Sequence, residues 1–147
     1  MTLRLDNGYA ASCVPTQMTD EAWPAVRHLI AEALEYSNDY SPEDVLLRIR
    51  GGQSQLWVVE KDMLIVGCAV TEVACFPRNR ILQVWLLCGI DFEKWKPCIA
   101  QLEGFARSQG CTFIEATGRR GLEKMIRDLG FTSPRVTFSK KLDNTTH

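Results

Sequence analysis

The chain is expected to fold as one α/β domain of the α+β type. Its single mixed sheet is antiparallel in the N-terminal part, has a parallel strand pair at its centre, and carries helices on both faces. Three features predict this. Residues 80–88, RILQVWLLC, form a nearly continuous apolar run, as a strand buried on both faces does. From Lys94 the period changes, with Trp95, Cys98, Ile99, Leu102, Phe105 and Ala106 at helical spacing before Gly110 closes the helix. Residues 111–116 then read as a second short apolar strand. A strand, a helix of roughly four turns and another strand make one right-handed βαβ unit with parallel strands.

The other elements follow in chain order. Residues 9–15 read as a first short strand. Thr19 or Asp20 is then positioned to cap a helix whose apolar stripe is Trp23, Val26, Leu29, Ile30, Ala33 and Leu34. Ser41-Pro42-Glu43-Asp44 combines a capping serine, proline at the first helical position and acids in the first turn, so a short helix runs to Arg50 and stops at Gly51-Gly52. The polar and aromatic loop between these helices, YSNDY at 36–40, reads either as a capped turn or as a pocket wall made by Tyr36, Asp39 and Tyr40. Residues 55–60 and 63–74 form a hairpin around Lys61-Asp62, residues 121–129 a second short helix stopped by Gly130, residues 136–140 a last strand, and residues 142–147 a fraying polar tail.

A chain of 147 residues with 46% hydrophobic and 24% charged residues and a net charge of -1 is large enough for one core and has the composition of a globular protein. No basic excess points to nucleic acid. No apolar run is long enough to span a membrane, and the first residues do not form a signal peptide, so a reducing, cytoplasmic setting is expected. The six cysteines form no C-x-x-C pair, five sit in apolar runs, and only two histidines are present. They read as buried thiols, with neither a disulfide framework nor a metal site.

The order β, long helix, β, short helix ending in Gly130-Phe131 resembles the second half of the GCN5-related N-acetyltransferase (GNAT) fold. The stretch LWVVEKDMLIVGCAVTEV at 56–73 is similar to the hairpin that precedes it. The string GRRGLEKMIRDLGF at 118–131 looks most like small diverged GNAT-like proteins of tailed bacteriophages and prophages. The resemblance implies an acetyl-coenzyme A site at the turn into the long helix, where active members carry a glycine-rich loop that holds the pyrophosphate.

Here the corresponding positions are Ile90, Asp91, Phe92, Glu93, Lys94 and Trp95, with no glycine. Asp91 as N-cap and Glu93 in the first turn would set two carboxylates in the field a diphosphate needs, costing roughly 1–4 kcal/mol per close pair. The tyrosine that serves active members as general acid is replaced by Ile126, beside Met125. The expectation is therefore a GNAT-fold protein with a degenerate acetyl-CoA site, no cofactor and no transferase activity, acting through a protein partner as a phage structural, virion-associated or binding protein. The alternative is a divergent acyl-CoA-dependent N-acetyltransferase. It would grip the donor through the backbone of Val84, Trp85, Leu86 and Leu87, together with Lys94 and Arg119, and take the proton through water or Glu72. A third reading is an anion- or peptide-binding module at Gly118, Arg119, Arg120 and Gly121, a turn whose arginines are otherwise free to pair with Glu115, Glu123 or Asp128.

Glu72 and Glu115 are the acids placed to act as a base, although an isolated carboxylate is more often a surface residue or an ion-pair partner. Cys88 and Cys98 invite a nucleophile reading, but no histidine is near in sequence and burial as small hydrophobes explains them better. Trp85 reads as core. Phe92 and Trp95, at the strand-to-helix turn, read as a plug closing a cleft or as an exposed aromatic patch.

Overall fold

The computed structural model describes residues 2–36 and 39–143. Six strands lie in sequence order in one sheet: β1 (Thr2–Arg4), β2 (Ala10–Val14), β3 (Gln55–Lys61), β4 (Leu64–Cys75), β5 (Arg80–Gly89) and β6 (Phe113–Ala116). All neighbours are antiparallel except β5 and β6, which are parallel. The predicted mixed sheet is thus present, extended by β1, whose three residues carry no pattern of their own, but its parallel pair, expected at the centre, lies at one edge because β6 is the last strand.

Helices α1 (Thr19–Leu34) and α2 (Pro42–Arg50) cover one face, packing Val26, Ile30, Val45 and Ile49 against Leu56, Val70 and Leu86. α3 (Phe92–Trp95) and α4 (Ile99–Ser108) cover the other face, where Leu102 and Ala106 meet Trp57, Leu82 and Val84. α5 (Arg120–Ile126) follows β6. The start of α2 is a capping box: Ser41 Oγ accepts from Asp44 N–H at 3.2 Å and Ser41 N–H donates to Asp44 Oδ2 at 2.9 Å. α1 starts at Thr19 without a side-chain cap, and the Thr19 hydroxyl turns back to the carbonyl of Thr16 at 2.6 Å.

Four further expectations are corrected. The long helix beginning at Lys94 is broken: α3 gives way to a 3-10 turn at Lys96–Cys98 before α4 begins at Ile99. Pro97 sits in that turn, lacks an N–H and cannot continue an α-helical ladder. Asp91 takes the N-cap position in the left-handed conformation (φ 55°), and its side chain makes no capping bond. The strand expected at 136–140 is not formed. Of the cysteines, Cys68, Cys88 and Cys98 are buried, but Cys75 is exposed at the end of β4. The tail expected at 142–147 lies mostly outside the described residues.

One irregularity organises the centre of the sheet. Val70 pairs with Leu86 while the next residue, Thr71, pairs with Val84, so β5 carries one extra residue, Trp85. This bulge inverts the alternation of β5. Before it Leu82 and Val84 face α4, and after it Leu86 and Cys88 face α1 and α2.

The strand ends at Gly89 (φ 136°), where a Cβ would lie 2.4 Å from the Val66 carbonyl oxygen and 2.5 Å from Gly67 Cα, both main-chain atoms. Gly89→Ala is accordingly expected to destabilise the fold by about 1–3 kcal/mol, read as a lower urea midpoint with unchanged slope.

Candidate functional site

The parallel pairing of β5 with β6 spans Ile81–Val84 and closes with Thr117 N–H donating to the Val84 carbonyl at 3.3 Å. Beyond it, β5 continues for five residues with β4 alone. Ile90 N–H donates to the Val66 carbonyl at 3.0 Å. Because antiparallel pairs alternate, Cys88 and Leu86 also turn their amide groups toward β4, while Leu87 and Gly89 turn theirs the other way. The bulge and the end of β6 therefore open the sheet at one place. They leave the N–H and C=O of Leu87 facing the side that β6 no longer occupies.

Beside this opening, on the α1/α2 face, lies a polar cavity of about 180 Å³ lined by Tyr40, Arg48, Glu72, Gln83, Trp85 and Thr117. The six walls come from five places: the entry to α2, α2 itself, β4, β5, which gives both Gln83 and Trp85, and the residue after β6. Glu72, Gln83 and Glu115 are opposite one another in register, forming a polar row across three strands.

Glu72 is the most firmly held. Arg48 donates from Nε to Oε1 at 2.6 Å and from Nη2 to Oε2 at 3.0 Å, and the Ser54 hydroxyl donates to Oε1 at 2.5 Å. That fork is the strong carboxylate–guanidinium geometry. Trp85 sits against both walls, with the Arg48 guanidinium 6.0 Å from its ring centroid and Tyr40 edge-on at 4.6 Å.

Burial alone would raise the Glu72 pKa, but the hydrogen bonds from Arg48 and Ser54 and the charge of Arg48 outweigh it and hold the carboxyl below its ordinary 4.5. A carboxyl whose pKa falls on folding adds stability above the unfolded-state value, and that stability is lost as pH drops through the folded value. The urea-midpoint gap between wild type and Glu72→Gln is thus expected to be present at neutral pH and to shrink below about pH 4.5.

The remaining sequence-selected residues lie apart from the cavity. Glu115 is paired with Arg135 at 2.8 Å. Lys94 is exposed on α3, with its carbonyl accepting from Asn7 Nδ2 at 2.7 Å. Arg119 stacks on Tyr36, its guanidinium carbon 4.3 Å from the ring centroid and Nη1 donating to the hydroxyl at 2.9 Å. The expected pairing of that arginine with Glu115, Glu123 or Asp128 is not formed. Those acids pair instead with Arg135, Arg127 and Lys96. Arg120 is exposed and, like Arg119, does not line the cavity.

A Cβ on Gly118 would meet Leu122 Cδ2 at 2.4 Å, whereas Gly121 faces open space. Asp39 is not a cavity wall, and Ser37 and Asn38 of the same loop lie outside the described residues.

Trp85, expected in the core, is half-buried: it packs against the core beneath α1 and α2 and also walls the cavity. Trp95 is not an exposed patch: it is buried, its Nε1–H donates to the Ile90 carbonyl at 2.7 Å, and Phe92 packs edge-on at 4.9 Å. Ile126 is buried, so no proton donor stands there. Burial pushes the Cys98 thiol above its ordinary pKa, which disfavours the thiolate a nucleophile needs.

Arg48, Ser54, Gln83 and Thr117 were not singled out from the sequence. Gln83 alone carried a signal, as a polar side chain inside an otherwise apolar run that must face something polar.

No protein-family model matches the chain, and no curated protein matches it in sequence. Solved structures do match, and they show the fold, that of GNAT acetyltransferases. An aminoglycoside acetyltransferase, meta-AAC0020, from an uncultured soil metagenomic sample superposes with TM-score 0.65 at 13% identity, covering 94% of this chain and 99% of the other. Ribosomal-protein-alanine N-acetyltransferase from Brucella melitensis biovar Abortus 2308 gives 0.65 at 14% identity, covering 92% and 99%. A predicted acetyltransferase with acetyl-CoA from Clostridium acetobutylicum gives 0.64 at 10% identity, covering 89% and 96%.

These likenesses overturn the expectation of a phage structural or virion-associated protein without transferase activity. The matched structures are described as acetyltransferases, and the divergent-acetyltransferase alternative fits them better. No helix among the described residues is long and apolar enough to cross a membrane.

Proposed function

We propose that this protein is a divergent acyl-coenzyme A-dependent N-acetyltransferase acting on an amine. The observation that carries the reading is the adjacency of two features: the edge of β5 freed at the Trp85 bulge, and the cavity holding the Glu72 carboxylate.

The residues present fit the donor unevenly. At its thioester end the fit is good, since an extended amide-containing arm can pair with the N–H and C=O of Leu87 as an added strand would. At the diphosphate end the usual glycine cradle is missing, and Asp91 and Glu93 bring negative charge. Glu93 is paired with Lys96 at 3.0 Å, however, so its share of the repulsion is weaker than a free carboxylate would give, whereas Asp91 keeps its charge. The grip on the donor therefore rests on the β5 edge, with Lys94 as the cation nearest in sequence.

An acyl-coenzyme A bound here supplies an activated thioester carbonyl. Glu72 remains ionised at neutral pH and retains a lone pair on Oε2 beyond its bond from Arg48 Nη2. Directly or through one water, it accepts a proton from the attacking nitrogen. The nitrogen becomes acidic as it bonds to the acyl carbon, so a carboxylate held below its ordinary range still suffices. Arg48 and Ser54 fix its orientation, and Tyr40 and Trp85 wall the acceptor. A thiol of ordinary pKa, about 8.5, leaves as thiolate without an obligatory acid, so the loss of a donor at Ile126 is tolerable.

The test is thiol release from acetyl-CoA in the presence of a panel of primary amines. Amine-dependent release that saturates is the expected result. Release no faster than hydrolysis across the panel contradicts the reading.

A further inference from the structure

We infer that Cys68 and Cys88 are a redox-sensitive pair, closed into a disulfide by a peroxide and reopened by thiols, that regulates donor binding at the β5 edge. Cys68 on β4 and Cys88 on β5 are opposite one another in register. Both belong to the core beneath α1 and α2, so both side chains leave the same face of the sheet. Among the described residues no other two cysteines face each other across a strand pair.

The backbone sets their spacing. The bond from Ile90 N–H to the Val66 carbonyl marks a hydrogen-bonded pair, and two residues along each strand Cys68 and Cys88 form the next one. Facing Cα atoms in such a pair are about 5.5 Å apart, inside the range of about 4.4–6.8 Å that a disulfide spans. The two thiols also interact as they stand: a hydrogen bond with Cys88, and after it burial, pushes the Cys68 thiol well above its ordinary pKa. Cys68 is therefore a thiol at neutral pH and does not start the reaction itself.

Cys88 is the member that a peroxide meets first, being 7% exposed where Cys68 is 0%. Its sulfur takes one oxygen, giving a sulfenic acid and one water. The Cys68 sulfur then displaces that oxygen as a second water and forms the S–S bond. Two thiols lose two electrons and two hydrogens, and one peroxide becomes two waters. A dithiol reverses the step by exchange and is itself oxidised to a disulfide. Closing the bond draws Cβ atoms about 5.5 Å apart to about 3.8 Å. Beyond Val84, β5 has β4 as its single strand neighbour among the described residues, so no strand on the other side opposes the pull. The pull turns the peptide of Leu87, the adjoining residue, away from the donor's arm. That consequence rests on the donor site proposed above, whereas the disulfide itself does not.

The test uses the full chain carrying Cys75→Ser, which removes the exposed thiol that would cross-link copies. It is treated with hydrogen peroxide and then with dithiothreitol. Expected after peroxide are a Cys68–Cys88 disulfide in the peptide map, a melting temperature higher by about 5 °C or more, and a Kd for acetyl-CoA about tenfold weaker. Dithiothreitol should reverse all three, and Cys88→Ala in the same background should show none. Should the alanine variant fail to fold, the reversal in the parent chain makes the same comparison. Peroxide that leaves Cys68 and Cys88 unlinked overturns the inference, and so does a mapped disulfide that leaves the Kd unchanged. A reduced chain that binds no acetyl-CoA contradicts the donor reading and the regulation with it, while the map and the melt still decide whether the pair closes.

Discussion

Replacing Glu72 with Gln is expected to lower kcat/KM for amine acetylation by about 10²–10⁴-fold, the usual worth of a positioned proton acceptor. The amide keeps the size of the carboxylate and can still accept from Ser54, so the cavity keeps its shape. It loses the charge that anchors Arg48 and the lone pair that takes the proton. The loss should appear in kcat, with the KM for acetyl-CoA little changed, because the donor lies on the β5 edge.

Arg48→Met gives a second readout. Without the guanidinium the Glu72 pKa rises, since burial remains while the hydrogen bonds and charge of Arg48 are gone. The acid limb of the pH–rate profile should then move to higher pH. A purely structural role for Arg48 would lower activity at every pH without moving that limb.

The second large effect concerns the donor. Leu87→Pro removes an N–H that faces away from β4, leaving the ladder between the two strands intact. It should weaken acetyl-CoA binding by about tenfold, the worth of one hydrogen bond, while the chain stays folded. Leu86→Pro, one residue earlier, removes a bond that does belong to that ladder, and should unfold the protein or lower its melting temperature sharply. Leu87→Val controls for the lost side-chain packing and should bind nearly as wild type does. Equal binding by wild type and Leu87→Pro would place the donor elsewhere.

The features legible in the sequence are those set by local chemistry. The capping box at Ser41 and Asp44, the turn at 61–63, and Gly130 in the left-handed conformation depend on residues next to one another. The apolar run of β5 likewise announces its burial. Pro97 was legible too, but the apolar stripe through Trp95, Cys98 and Ile99 spans it, so the break between α3 and α4 does not show in the periodicity.

The bulge at Trp85 was not legible, because it exists only in the pairing of β5 with β4. The cavity is harder still. Arg48 and Glu72 are 24 residues apart and meet only once α2 has packed over the sheet. The missing glycines at 90–95 bear on one end of the proposed donor alone. The acceptor side is assembled from residues with no shared motif.

The central claim is that the opening at the Trp85 bulge seats an acyl-coenzyme A. Calorimetric titration of the full chain with acetyl-CoA tests it most directly. Saturable binding to one site per chain, weakened in Leu87→Pro and retained in Leu87→Val, is the expected result. No heat of binding at millimolar ligand, or an isotherm that Leu87→Pro leaves untouched, would contradict it.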